Sequence, residues 1–233
     1  MIKGGLGQNS SPLFTRRIMR YHVINSWKTP ASDYPHIKLG DWSITTRRQA
    51  EGIYKMQDIG SFYYVPNVID LTVLSQGNKV WFTDEPRQMY AMAEIGLFRA
   101  EGNVVVGGLG LGLIHSFLKH NPMVTSITTI EIAPELEKLV WPYVNVGKLI
   151  IGDFYKVLPQ LNEPIDTIYT DFIFGNIDDK TWEELNVQRE FCTRYFPNAQ
   201  FLEHGYQAYM DEEVVNKAIP PTGTMYDKVV IVR

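Results

Sequence analysis

The stretch VVVGGLGLG, residues 104–112, decides which fold this sequence predicts. Its three consecutive valines are typical of a buried strand, and its four glycines allow the backbone to turn sharply after that strand. The apolar residues that follow recur at the spacing of one helix face, at Leu113, Ile114, Phe117 and Leu118. A buried strand, a glycine loop and a helix in this order favour a nucleotide-binding unit of a parallel sheet.

Strand and helix patterns alternate downstream of this unit. Helices are predicted to begin at Pro134 and at Thr181, where Thr181 and Glu184 have the spacing of a capping box. A short helix is expected at 211–219. Strands are expected at 126–132, 148–153, 166–171, 199–203 and 228–233. Strands separated by helices of this length predict an α/β, doubly wound, mostly parallel Rossmann-like sheet.

The chain upstream of the glycine loop has a different pattern. Short runs rich in aromatic and β-branched residues alternate with turn signals, at 21–24, 41–46, 61–65, 68–74 and 79–82. A helix then begins near Pro86, with Thr83 or Asp84 as its expected N-cap. The sequence therefore predicts a small β-rich N-terminal element over 1–82 and a Rossmann-like domain over 83–233.

Composition excludes several classes of protein. The chain has 233 residues, of which 45% are hydrophobic, and this balance is typical of a globular protein rather than a disordered one. Its single cysteine, Cys192, excludes an internal disulfide framework and a zinc site built from several cysteines, and no His, Asp and Glu spacing demands a metal. No apolar run reaches the roughly 18 residues of a membrane span, and the start lacks a signal-peptide core. We expect a cytoplasmic protein without a membrane partner.

The net charge of −4 is unevenly distributed. Residues 1–100 contain 12 Lys and Arg against 8 Asp and Glu, whereas residues 101–233 contain 10 against 18. In the first part, arginines at 16, 17, 20, 47 and 48 are interleaved with Tyr21, Trp27 and Trp42. Such a pattern suits an RNA-binding face, but we favour a solvated strand face whose aromatic residues lie in the core.

The spacing of the glycines discriminates between ligands. A dinucleotide fingerprint, Gly-x-Gly-x-x-Gly, that starts at Gly108 would need a third glycine where Leu113 stands. The actual spacing, Gly108-x-Gly110-x-Gly112, resembles the first motif of the class I S-adenosylmethionine-dependent methyltransferases. An acid, Glu131, follows about 20 residues after the loop, at the end of the next strand, where a carboxylate can bind a ribose hydroxyl.

This resemblance covers roughly residues 80–233 and implies S-adenosylmethionine as the cofactor. It implies that Glu131 binds the ribose hydroxyls, that Asp153 contacts the adenine amino group, and that Asp171 faces the reaction centre. The implied cofactor site comprises Gly108, Gly110, Gly112, Glu131, Ile132, Asp153 and Phe154. Several of the implied residues also have a purely structural interpretation: tight packing for the three glycines, a solvated strand end for Glu131, a helix cap for Asp153 and a turn for Asp171.

The sequence is less informative about the substrate. The residues after Asp171 depart from the Pro-Pro-aromatic motif of the methyltransferases that act on adenine or glutamine. The layout is similar to the group that contains spermidine synthase and guanidinoacetate methyltransferase, although GGLGLG differs from the Gly-Gly-Gly-Asp-Gly-Gly loop of aminopropyltransferases. Asp171 and His204 are the candidate catalytic bases.

We therefore expect methyl transfer to a small, nitrogen-containing substrate. Aminopropyl transfer, RNA methylation through the basic N-terminal part, and nucleoside binding without catalysis are the alternatives. A homo-oligomer is compatible with all of them.

Overall fold

The computed structural model describes residues 20–55, 62–172, 179–203 and 228–231. The strands before the first helix are β1 (Arg20–Val23), β2 (Ile37–Leu39), β3 (Trp42–Gln49), β4 (Gly52–Lys55), β5 (Phe62–Val65), β6 (Ile69–Gln76) and β7 (Lys79–Thr83). Strands β2, β3, β6 and β7 form an antiparallel sheet in that order, while β1, β5 and β4 lie side by side in a second sheet. The prediction of β-rich structure here is confirmed, and β2 and β4 are additional strands.

The first helix, α1 (Pro86–Glu94), is not capped by either of the residues expected at its N-cap. Its N-cap is Glu85, which makes no side-chain capping bond. Asp84 is engaged elsewhere: its carboxylate accepts hydrogen bonds from the Thr29 hydroxyl at 2.5 Å and the Thr72 amide at 2.6 Å. The N-cap prediction at Thr83 or Asp84 is therefore wrong. The Asp84 carboxylate instead connects the chain just before α1 to Thr29 and to β6.

The glycine loop lies within a five-stranded parallel sheet. The elements are β8 (Gly102–Gly107), α2 (Leu113–Leu118), β9 (Val124–Glu131), α3 (Pro134–Leu139), α4 (Trp141–Val144), β10 (Lys148–Ile151), α5 (Phe154–Val157), β11 (Thr167–Thr170), α6 (Asp179–Tyr195) and β12 (Gln200–Glu203). The strand order is β10-β9-β8-β11-β12, with every pairing parallel. This confirms the predicted Rossmann-like fold class.

In the second half of the chain, the start of α6 and the pairing of the last strand differ from the predictions. Helix α6 begins at Asp179, so Thr181 lies inside the helix and not at its N-cap. The expected helix at 211–219 lies outside the described residues. The last strand, β13 (Lys228–Ile231), pairs antiparallel with β1, whereas the parallel sheet contains β8 to β12. The C-terminal segment thus adds a strand to an N-terminal sheet.

One hydrophobic cluster connects the two parts of the chain. Tyr34, Trp42 and Phe82 from the N-terminal part pack in the same buried cluster as Val106 and Leu111 from the glycine-loop unit. Cys192, on α6, is 1% exposed and belongs to a separate hydrophobic cluster. Within the described part of the chain, we find no helix with the length and apolar character needed to cross a membrane.

Candidate functional site

The candidate site lies where the strand order of the parallel sheet reverses. Strands β9 and β10 follow β8 toward one edge, while β11 and β12 lie toward the other, so β8 and β11 flank the point of reversal. Loops leaving the carboxyl ends of two such strands diverge and open a crevice between them. The glycine loop leaves β8 here, and Asp171 directly follows β11.

The glycine loop adopts backbone angles that suit only glycine. Gly108 and Gly110 have φ of +89° and +53°, in the region that side chains with a Cβ avoid. Gly112 has φ of +70° and is the N-cap of α2, but a Cβ there would collide with the Val144 side chain. Gly112 therefore permits close packing of α2 against α4.

Glu131 fixes the shape of this loop. One carboxylate oxygen accepts a hydrogen bond from the Leu109 amide and the other from the Ala133 amide, both at 2.7 Å. The side chain is 5% exposed, and this burial raises the pKa of Glu131 while the amide donors oppose the increase. The carboxylate thus orients both the glycine loop and the start of α3.

The end of β10 contributes a cap and an aromatic ring. Asp153 is the N-cap of α5 and accepts a hydrogen bond from the Tyr155 amide at 3.0 Å, so the structural role considered for this residue is present. Its side chain remains 37% exposed. Phe154 is buried, whereas Ile132, directly after β9, is 70% exposed.

Asp171 lies beside the glycine loop. Its amide donates a hydrogen bond to the Gly107 carbonyl at 3.2 Å, which ties it to the end of β8. Its carboxylate accepts a hydrogen bond from the buried Tyr169 hydroxyl, and burial together with that negative charge raises the pKa of Tyr169. Asp171 is therefore held in place from two sides.

These residues line a cavity of about 550 Å³. Seven of the nine predicted site residues are in its wall: Gly108, Gly110, Glu131, Ile132, Asp153, Phe154 and Asp171. Gly112 is not among the lining residues, and His204 lies outside the described residues. The cavity has the size of a typical small-molecule site.

The opposite wall comes from the N-terminal antiparallel sheet, and sequence reasoning did not assign it to the site. It consists of Trp42, Leu74, Gln76, Trp81 and Phe82. Trp42 is 7% exposed and packs in the core. The periodicity of these strands gives no signal for this role, because only the docking of the two sheets brings their side chains over the glycine loop.

All charged side chains among the described lining residues are acidic: Glu131, Glu135, Asp153 and Asp171. A wall with this charge attracts cations and repels anions. Across the described residues, no group of three or more His, Cys, Asp or Glu side chains is arranged to hold a metal ion.

No protein-family model and no curated protein matches the sequence. Among solved structures, spermidine synthase from Thermotoga maritima is 15% identical, with a TM-score of 0.37 over 46% of this chain and 45% of that one. The 23S rRNA methyltransferase ErmE is 16% identical, with a TM-score of 0.38 over 51% and 46% of the two chains.

An S-adenosylmethionine-dependent methyltransferase from Thiobacillus denitrificans, solved with S-adenosylhomocysteine, is 13% identical, with a TM-score of 0.36 over 51% and 48%. This chain spans less than half the length of each of these three structures. The parallel sheet and the glycine loop at its point of reversal give the chain a Rossmann-like fold.

Proposed function

We propose that this chain binds S-adenosylmethionine in the cavity and transfers its methyl group to a small, nitrogen-containing molecule. The supporting observation is that one cavity is lined by the glycine loop and by the residues that follow β9, β10 and β11. A nucleoside ligand needs contacts from these neighbouring strand ends at the same time.

The residues present fit this cofactor. Gly108 and Gly110 have no side chain, so a ligand can approach the backbone of the loop closely. The exposed surface of Ile132 would pack on one face of the adenine, and the half-exposed carboxylate of Asp153 would accept a hydrogen bond from its amino group. Glu131 would accept hydrogen bonds from the ribose through the lone pairs that the Leu109 and Ala133 amides leave available.

The chemistry requires little from the protein beyond alignment. When bound, S-adenosylmethionine supplies an electrophilic methyl carbon: the acceptor nitrogen's lone pair bonds to it, the carbon–sulfur pair returns to sulfur, and the nitrogen releases one proton. Asp171, beside the loop and held by the Gly107 carbonyl, would orient the acceptor nitrogen and accept that proton. Phe82 and Phe172 would exclude water from the reaction centre.

Calorimetry with S-adenosylhomocysteine tests the proposal directly. We expect binding by the wild type, and a loss of about ten-fold in affinity for Ile132→Ala, because the apolar packing surface is removed. Met123→Ala is the matched control, since Met123 is 61% exposed and is not among the lining residues. Absence of binding to the folded wild type, or equal losses in both variants, would contradict the proposal.

Aminopropyl transfer is the second candidate, and one observation favours it. Among the described lining residues, no basic side chain is available for the carboxylate of S-adenosylmethionine. A decarboxylated cofactor would suit this acidic wall better. Tighter binding of decarboxylated S-adenosylmethionine than of S-adenosylmethionine would favour aminopropyl transfer, and the reverse order would favour methyl transfer.

A further inference from the structure

The wall opposite the glycine loop contains an irregularity in its sheet. Along β6 and β7, Leu74 pairs with Phe82 and Ser75 pairs with Val80, so Trp81 is an extra residue on β7. In a regular strand, consecutive side chains point to opposite faces of the sheet. The bulge instead allows both Trp81 and Phe82 to line the cavity. Bulges often occur beside active sites, where they redirect a side chain.

This wall approaches the parallel-sheet part of the chain at two places. Near the glycine loop, the Phe82 ring lies 3.6 Å from the position that a Cβ on Gly110 would occupy. At the other end, a Cβ on Gly40 would lie 3.8 Å from the Glu135 carboxylate. Trp42 and Trp81 belong to the same wall of the cavity.

The two indoles form one aromatic surface. The rings of Trp42 and Trp81 are 5.7 Å apart between centroids and are tilted by 36°. Trp42 is buried in the core and supports the more accessible Trp81. The Lys79 ammonium lies 3.8 Å from the centre of the Trp81 ring, so this indole is already in contact with one cation. Lys79 is not among the residues that line the cavity.

Charge and aromaticity together indicate the kind of molecule that would bind here. The described wall combines four carboxylates with two indoles and includes no Lys, Arg or His. Carboxylates attract a cation from a distance, and an indole face binds it at contact. An anion in the same position would meet these carboxylates and no basic side chain among the described lining residues, since Lys79 lies at the Trp81 ring but does not line the cavity.

We propose that Trp81, redirected by the bulge and supported by Trp42, determines specificity for the acceptor and selects a small molecule with a cationic nitrogen over an anionic one. This inference rests on the proposed function, because it places the acceptor of the methyl group in the same cavity as S-adenosylmethionine, on the side that faces the glycine loop. The Trp81 indole contacts the cationic nitrogen, while Asp171 beside the loop takes the one proton that this nitrogen must lose before its lone pair can bond to the methyl carbon.

The test uses three probes of similar shape: benzylamine as the cation, benzyl alcohol as the neutral molecule and benzoate as the anion. Each is titrated by calorimetry into the full chain saturated with S-adenosylhomocysteine. We expect benzylamine to bind at least about ten-fold more tightly than benzoate, with benzyl alcohol between them. Equal or tighter binding of benzoate, or no detectable binding of benzylamine, would overturn the inference.

Variants identify the residue responsible. Trp81→Leu should remove most of the preference for benzylamine, and Trp81→Phe should restore part of it because a phenyl face also binds cations. Trp141→Leu is the matched control, since this indole packs against the same core but is not among the lining residues. An unchanged preference in Trp81→Leu, or an equal loss in Trp141→Leu, would refute the role of Trp81.

Binding of S-adenosylhomocysteine is measured first in every variant. If the wild type does not bind it, the proposed function fails before the acceptor is tested. If the wild type binds it but shows no preference for the amine, the cofactor site stands and only the inference about Trp81 fails. Trp81→Leu should bind S-adenosylhomocysteine within about two-fold of the wild type, and a larger loss would move Trp81 to the cofactor side.

Discussion

Glu131 holds the glycine loop, and in the proposed function it also contacts the ligand. Its two oxygens accept hydrogen bonds from the Leu109 and Ala133 amides, so the carboxylate compensates for its burial with backbone donors. Any substitution at this position therefore changes the shape of the glycine loop as well as the chemistry of the site. Measurements of ligand affinity alone cannot separate these two effects, whereas measurements of stability can.

Glu131→Gln should lower the free energy of unfolding by about 1–3 kcal/mol. The amide places an NH₂ group against a backbone donor and leaves buried groups unpaired. Asp153→Asn is the matched control, because its remaining carbonyl can still accept from the Tyr155 amide, and we expect a loss below about 0.5 kcal/mol. Urea denaturation of both variants checks this. Similar losses would contradict the loop-holding role of Glu131.

Asp84 and His115 give stability opposite dependences on pH. Burial raises the pKa of Asp84 from 3.8 to about 6, although hydrogen bonds from Thr29 and Thr72 oppose it. Asp84 thus binds a proton more tightly in the folded state than in the unfolded state, and its contribution to the free energy of unfolding falls as pH rises from about 4 to 6. Burial lowers the pKa of His115 from 6.5 to about 4, although the hydrogen bond to the Gly112 carbonyl opposes this decrease. The contribution of His115 to the free energy of unfolding therefore increases with pH, in nearly the same window.

Asp84→Asn should reveal the His115 contribution. The asparagine carbonyl can still accept from the Thr72 amide, the NH₂ group can donate to the Thr29 hydroxyl in place of the bond that this hydroxyl donated, and the titration is lost. We expect a weak pH dependence of the unfolding free energy in the wild type, and an increase of about 3 kcal/mol between pH 4 and 6.5 in the variant. Urea denaturation across this pH range measures both curves. Parallel curves would show that Asp84 does not titrate there.

At the scale of elements, the glycine loop is held by contacts from several directions. The Tyr34 hydroxyl, from the N-terminal part, donates a hydrogen bond to the Leu111 carbonyl at 3.0 Å. Below the loop, His115 donates from Nδ1 to the Gly112 carbonyl and accepts at Nε2 from the Thr129 hydroxyl, which is the neutral tautomer. A loop held in this way is preorganised for a ligand, because little ordering is left for binding to supply.

Two glycines of this loop should respond differently to alanine. Gly112→Ala drives a methyl group into Val144 at a φ of +70°, and we expect a loss of about 2–4 kcal/mol in stability. Gly110→Ala meets no atom closer than 3.6 Å and should cost about 1–2 kcal/mol, but it adds a methyl group to the cavity wall.

Thermal unfolding and calorimetry with S-adenosylhomocysteine distinguish these two roles. The folded fraction of Gly112→Ala should keep its affinity, whereas Gly110→Ala should lose at least about ten-fold. A second substitution, Val144→Ala, should recover part of the stability of Gly112→Ala by relieving the collision. If Gly110→Ala binds the ligand normally, Gly110 does not belong in the site.

At the scale of the whole molecule, the β-rich part and the Rossmann-like part share their interior. The main hydrophobic cluster takes residues from both, Asp84 joins α1 to the strands around it, and β13 returns to pair with β1. Neither part can lose its structure without exposing apolar surface on the other. Residues of both parts line the cavity, so both of its walls depend on the same packing.

The chain should therefore unfold in one cooperative transition. Tryptophan fluorescence reports strongly on the N-terminal sheet through Trp42 and Trp81, while far-ultraviolet circular dichroism reports on the helices around the parallel sheet. Their urea denaturation curves should coincide. An earlier fluorescence transition, with helical signal retained, would show that the N-terminal sheet unfolds independently.

The sequence by itself determined the Rossmann-like sheet, the glycine loop and the strand-end residues that line the cavity. These follow from local patterns: valines before glycines, an acid at the end of a strand, apolar residues at helical spacing. The same patterns could not assign Asp84 to its partners, because Thr29 and Thr72 lie 55 and 12 residues away in the chain.

Only the tertiary structure decided which glycine packs and which faces the cavity, that the last strand joins the first, and that Trp81 and Phe82 form a wall over the loop. The bulge at Trp81 depends on a one-residue shift between two paired strands. Such a shift reverses the face that a side chain occupies, and it is set by pairing and packing rather than by the identity of the residue.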